Sequence, residues 1–228
     1  MDFPRELFCV WGKALRSTSL LYSGANVADM MESYEFKFRA YAHALYYALQ
    51  EDAFYITMEK SVTQGDPREA MMRYMDYSIR EGESYGEIVI PDGDYGVSVW
   101  SLPVSDAVQA EKFERKKAFL EEYMGEASAK TYADICESMD SFTAPLVPSD
   151  AWYLSILGIL PARQGKGLGP GLLQGILDRA DQAGVSTFLE TFTPRNMSFY
   201  ERLGYESRGR FNEPVTGSDY WVMVRPPA

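Results

Sequence analysis

The chain has 228 residues, 46% of them hydrophobic, enough to bury one substantial core, and no Pro/Gly/Ser-rich linker divides it, so a single domain is expected over residues 1–228. A formal charge of −11 argues against nucleic acid as a partner, because that affinity comes chiefly from Lys and Arg on phosphates. No apolar run near Asp2, Arg5 and Glu6 has signal-peptide or membrane-span length, and Cys9, Cys136 and the single histidine, His43, cannot assemble a zinc site, so a soluble cytoplasmic protein with no metal, disulfide framework or membrane partner is expected.

In chain order, residues 4–55 are rich in Tyr, Phe and Ala, and Phe38, Tyr41, Ala42, Leu45 and Leu49 recur at helical spacing. Asp66-Pro67 opens a clearer helix, with Met72, Met75 and Ile79 on one face and Gly82 as its stop. Ile88 to Ile90, a Pro91-Asp92-Gly93-Asp94 turn, and Val97, Val99 and Trp100 predict a hairpin. Residues 106–124 read as an amphipathic helix, and Tyr132, Ile135 and Met139 as a further short one. From Trp152 the pattern becomes strand (to Leu160), glycine loop, helix (Gly169 to Ala183), strand (Val185 to Phe192), short helix (Arg195 to Leu203) and two strands (Tyr205 to Arg210, Tyr220 to Arg225).

Charge divides along the same line. Residues 1–150 hold 26 acidic and 14 basic side chains, residues 151–228 hold 7 and 8. Acidic helices that keep the protein soluble account for this; a cationic ligand approaching the acidic side is the sharper alternative.

The segment Arg163-Gln164-Gly165-Lys166-Gly167-Leu168-Gly169, between a strand and a helix, is suited to holding phosphates. Glycines let the backbone approach an anion, helix-start N–H groups point at it, and Arg163 and Lys166 add charge from the rim. Gly167 after Lys166 excludes G-x-x-x-x-G-K-[ST], and Leu172 and Pro170 occupy the third-glycine positions of G-x-G-x-x-G.

Leu157-Gly158-Ile159-Leu160-Pro161, Gln164 to Gly169, Asn196, and Phe199-Tyr200-Glu201-Arg202-Leu203-Gly204-Tyr205 resemble the acetyl-CoA motifs of the GNAT acetyltransferase superfamily. Within it, the stretches Q-G-K-G-L-G, F-L-E-T and P-R-N-x-x-F-Y-E-R-L-G are nearest to the puromycin N-acetyltransferases. The likeness does not extend to residues 1–55, read as a divergent helical segment; residues 151–205 form the expected acetyl-CoA-binding core.

The resemblance implies an α/β (α+β) fold: a mixed, centrally splayed sheet flanked by helices. It implies acetyl transfer from acetyl-CoA to the amine of a small molecule, such as an antibiotic or xenobiotic, the alternatives being a peptide or protein amine or a non-catalytic acyl-CoA-binding module. By the superfamily pattern, Gln164, Gly165, Lys166, Gly167, Leu168 and Gly169 donate to the pyrophosphate. The pantetheine arm pairs with strand backbone near Leu157 and Ile159, which explains Gly158 inside a strand. Asn196 contacts that arm and Tyr200 lies near its sulfur.

Acetyl transfer needs a neutral amine, a stabilised oxyanion and a proton for the departing thiolate. The Ile159 N–H is the candidate oxyanion donor. Tyr200, protonated at neutral pH with an ordinary pKa near ~10, is the candidate acid. Glu190 deprotonates the acceptor, anchors a cationic substrate, or pairs with Arg195 as a structural carboxylate. His43 is read as a packing residue.

Overall fold

The computed structural model describes residues 34–228; the helix expected before Tyr34 and Cys9 lie outside them. Among the described residues five helices precede the central strands: α1 (Arg39–Ala48), α2 (Ala53–Lys60), α3 (Pro67–Tyr85), α4 (Asp106–Tyr123) and α5 (Glu126–Thr143), with β1 (Gly86–Val89) and β2 (Gly96–Ser101) between α3 and α4. Asp66 caps α3 by accepting from the Glu69 N–H at 2.8 Å, and Pro67 stands in the first turn, where a missing N–H is tolerated.

The buried face of α3 is Met71, Tyr74, Met75 and Ile79, while Met72 is only half-buried. Gly82 does not stop the helix. It lets α3 lie against the sheet, since a Cβ there would meet Val99 Cγ1 at 2.4 Å, and the helix continues to Tyr85. The helix around Ile135 is likewise longer than expected, 18 residues, because Ser128, Ala129, Ala133 and Met139 extend its buried face.

From Ala151 onward come β3 (Trp152–Ile159), a 3-10 turn (Gly169–Leu172), α6 (Gln174–Ala183), β4 (Thr187–Thr191), α7 (Met197–Glu201), β5 (Glu206–Glu213) and β6 (Ser218–Arg225). The sheet runs β1-β2-β3-β4-β6-β5, with β3 and β4 parallel and all other neighbours antiparallel.

Side chains alternate across β4, so Phe188 joins the core under α1 to α5 with Leu45, Ile79, Leu120 and Ile135. Leu189 joins the opposite core, with Leu172, Leu173, Ile176 and Tyr205. Each face of the sheet is thereby covered by its own helices. No helix of the described residues is long and apolar enough to cross a membrane.

Candidate active site

The parallel pair β3 and β4 holds together only at Trp152 with Thr187 and Tyr153 with Phe188; beyond these the strands part. The expected splay is therefore present. Leu160 donates its N–H to Tyr95 O at 2.9 Å on the β2 side. Because strand backbone alternates sides, Ile159 and Leu157 turn theirs toward the opening, where β4 offers no partner. The opening leads from the glycine loop into the sheet.

At the loop, Gly165 and Gly167 both have φ of +70° with open space around them, so glycine serves conformation there, not packing. Among the described residues the N–H groups of Gly165, Lys166, Gly167 and Leu168 find no main-chain acceptor. Such a row of donors can cradle an anion. Lys166 Nζ donates to Ala162 O at 3.0 Å and Gln164 Nε2 to Ile159 O at 3.0 Å, which brace the loop; Arg163 is exposed at its rim. The residues therefore fit a pyrophosphate with an amide-bearing arm. Gly158 has a different reason from the one expected: Leu45 of α1 packs over it, and a Cβ would lie 2.2 Å from Leu45 Cδ2.

A cavity of about 340 Å³ opens from the splay under α1 to α5. Tyr200 and Asn196 stand at one end, Asp52, Asp140 and Glu190 line it, and Tyr55, Tyr74 and Tyr132 give it an aromatic wall. Tyr200 is buried, and desolvation, then Tyr205 and Asp52, push its hydroxyl pKa far above the ordinary value. Asp52 caps α2 through the Phe54 N–H at 3.0 Å; burial nevertheless pushes its carboxyl up to about 6. Burial and then the neighbouring Glu190 raise Asp140 to about 7. Glu190 is raised by burial, opposed by hydrogen bonds from the Thr143 and Tyr153 hydroxyls.

Arg195 does not pair with Glu190; it reaches Glu51 at 2.8 Å. His43 is exposed and, among the described residues, its ring contact is the Tyr47 ring edge; it does not line the cavity. Asp52 and Asp140 were not singled out in sequence. Asp52 carries a readable signal, an Asp immediately before Ala53-Phe54 at a helix start. Asp140 carries none, being one acid among several on α5.

Residues 108–205 match the model of the Acetyltransferase (GNAT) family. The matched segment, less than half of the chain, runs from α4 to just beyond α7 and includes Asp140, the glycine loop, Glu190, Asn196 and Tyr200. The chain is 25% identical over 124 residues to an uncharacterised N-acetyltransferase of Schizosaccharomyces pombe, covering 52% of this chain and 50% of that one; it thus spans about half that relative's length.

Among solved structures it is similar to histone acetyltransferase HPA2 and related acetyltransferase from Corynebacterium glutamicum (23% identity, 83% of this chain and 90% of that one, TM-score 0.58). It is also similar to arylalkylamine N-acetyltransferase 2 from Aedes aegypti (15%, 85% and 98%, TM-score 0.53). A third is the polyamine N-acetyltransferase of Drosophila melanogaster (14%, 82% and 95%, TM-score 0.51). At these identities the likeness establishes the GNAT fold.

Proposed function

We propose that the chain transfers the acetyl group of acetyl-CoA to the amine of a small, cationic molecule. The observation that carries this reading is the parting of β3 from β4 beyond Tyr153, beside a cavity that Leu157, Asn196 and Tyr200 line together with the carboxylates of Asp52, Asp140 and Glu190. When bound, acetyl-CoA supplies the acyl group as a thioester.

The N–H groups of residues 165–168 would hold its phosphates, with Gln164 and Gly169 flanking them and Arg163 adding charge from the rim. The backbone of Leu157 and Ile159 would pair with its arm as strand addition does. Asn196, at the N-terminal end of α7, would contact the same arm.

Within the cavity, Asp52 takes the role of base toward the reacting ammonium, because its carboxyl near 6 is ionised at neutral pH yet basic enough to accept a proton. Tyr200 Oη, kept protonated by its burial, holds the proton required by the departing thiolate. Glu190, for which the sequence offers both a base and an anchor role, is the anchor: its two oxygens are held by Thr143 and Tyr153 at the cavity wall.

The motif stretches shared with puromycin N-acetyltransferases lie within residues 164–204, with looser likeness at Val99 to Pro103 and around Trp221, whereas much of the acceptor wall comes from α1 to α5. Antibiotic and xenobiotic amines therefore enter the test as one acceptor class among several. Incubation of the protein with acetyl-CoA and an amine panel, read by thiol release and by mass-spectrometric detection of mono-acetylated product, tests the proposal. Binding of acetyl-CoA with no transfer to any amine, peptide or small molecule would leave a binding module in its place.

A further inference from the structure

The cavity carries two acidic stations. Asp52 is at the Tyr200 end, where its charge acts on the Tyr200 hydroxyl. Asp140 and Glu190 form the other, close enough that Glu190 raises the Asp140 carboxyl. The Thr193 hydroxyl donates to Asp52 Oδ2 at 3.5 Å, and Thr193 follows Glu190 by three residues, so their backbones are no more than about 10 Å apart.

The two carboxylates of the second station are not equally provided for. Glu190 has Thr143 on Oε1 and Tyr153 on Oε2 at 3.3 Å. Asp140 Oδ1 is fully enclosed and has no hydrogen-bond partner among the described residues. An enclosed carboxylate oxygen without a donor, beside a second carboxylate, is unfavourable until a cation or donor arrives.

The cations along the same wall are committed elsewhere. Arg195 pairs with Glu51 at 2.8 Å; Lys116 pairs with Glu81 at 3.3 Å among the Tyr74, Tyr77 and Tyr132 rings; Lys112 lies over the Tyr85 ring at 6.0 Å. Phe54, Tyr55, Tyr132 and Phe188 line the cavity and supply apolar surface for a spacer.

Resting on the acetyltransferase reading above, we infer that Asp140 is a specificity-determining residue: with Glu190 it holds the second ammonium of a diamine acceptor whose first amine lies between Asp52 and Tyr200. A chain of five carbons, at ~1.5 Å per bond, stays within the upper bound set by the Glu190–Thr193 backbone and serves as the probe. The second ammonium lies against the Asp140 and Glu190 carboxyls and offsets the repulsion between them. A monoamine of the same length leaves that repulsion uncorrected.

The test compares 1,5-diaminopentane with pentylamine on the full chain, measuring kcat/KM for each with saturating acetyl-CoA. The wild-type protein should favour the diamine by at least ~10-fold, the range of a charge-assisted hydrogen bond. Asp140→Asn should cut that preference by a similar factor, chiefly through KM, and Asp140→Glu should restore part of it. Because each preference is a ratio on one protein sample, partial unfolding of a variant cancels.

If Asp140→Asn does not fold, the wild-type ratio alone decides. Acetylation of pentylamine as well as the diamine, or of other amines but neither of these two, overturns the diamine assignment while leaving the acetyltransferase reading intact. No transfer to any amine overturns both.

Discussion

The Thr193 hydroxyl, just beyond the end of β4, donates to Asp52 Oδ2 at 3.5 Å and so ties the rim of the splayed sheet to the start of α2. Asp52 Oδ1 meanwhile accepts from the Phe54 N–H. These bonds favour the ionised carboxylate, burial disfavours it, and burial wins, leaving the carboxyl at about 6.

The first prediction concerns that carboxyl. A base is active when deprotonated, so kcat/KM should climb as pH rises toward about 6 and flatten above it. Thr193→Val removes a bond that favours the charged form, which raises the Asp52 pKa and moves this limb to higher pH. Asp52→Asn should lower kcat by ~10²–10⁴-fold while keeping the fold, since Asn caps a helix about as well as Asp. An unaltered pH profile in Asp52→Asn would assign the base elsewhere.

Gly167 offers a test of the cradle. Its φ of +70° favours glycine and is otherwise tolerated best by Asn and Asp, so the effect of an aspartate there comes from the negative charge it sets beside the donors of residues 165–168. Gly167→Asp should weaken acetyl-CoA by at least ~10-fold, whereas Gly184→Asn, at a φ of +67° after α6, places an αL-tolerant residue away from the loop and should not. Calorimetry showing equal affinity in wild type and Gly167→Asp would remove the phosphates from this loop.

Tyr200→Phe separates binding from chemistry. Burial keeps the hydroxyl protonated, so it matters when negative charge builds on sulfur and little before. We expect kcat to fall by ~10²-fold, the low end for general acid catalysis because a CoA thiolate, like cysteine with a pKa near ~8.5, leaves readily. A change confined to KM for acetyl-CoA would mean a binding role. Full activity with chemistry rate-limiting would take Tyr200 out of the mechanism.

The half of this site proposed for the cofactor could be outlined from sequence because its chemistry is local. Gly165, Gly167 and the strand before them are set by backbone demands a few residues long, and Asn196 and Tyr200 share one short segment. Of the acceptor half only Glu190 was singled out. Asp52 and Asp140 line the same cavity only through tertiary packing of α2 and α5 against β4, and nothing in the neighbours of Asp140 marks it. Gly82 and Gly158 misled in related ways: each packs against a distant partner, Val99 or Leu45, whereas a local rule read Gly82 as a helix stop and the family resemblance tied Gly158 to arm pairing on its strand.

Asp140 also makes a prediction about stability. Its carboxyl stands at about 7 in the folded protein, above the ~3.9 of an unfolded aspartate, so the folded state binds the proton more tightly. That contribution is present below pH ~4, declines as pH rises to about 7, and is a constant penalty beyond. Asp140→Asn does not titrate. Its stability relative to wild type should therefore improve between pH 4 and pH 8, by on the order of 1 kcal/mol once solvent screening of a partly exposed group is allowed for. In a domain of this size that is a shift of ~2–4 °C in melting temperature. Any change in packing caused by the amide acts equally at both pH values and drops out of the comparison. Melting curves of the two proteins that stay parallel from pH 4 to pH 8 would show that Asp140 already has a partner which neutralises it, and the second acidic station would lose its orphaned oxygen.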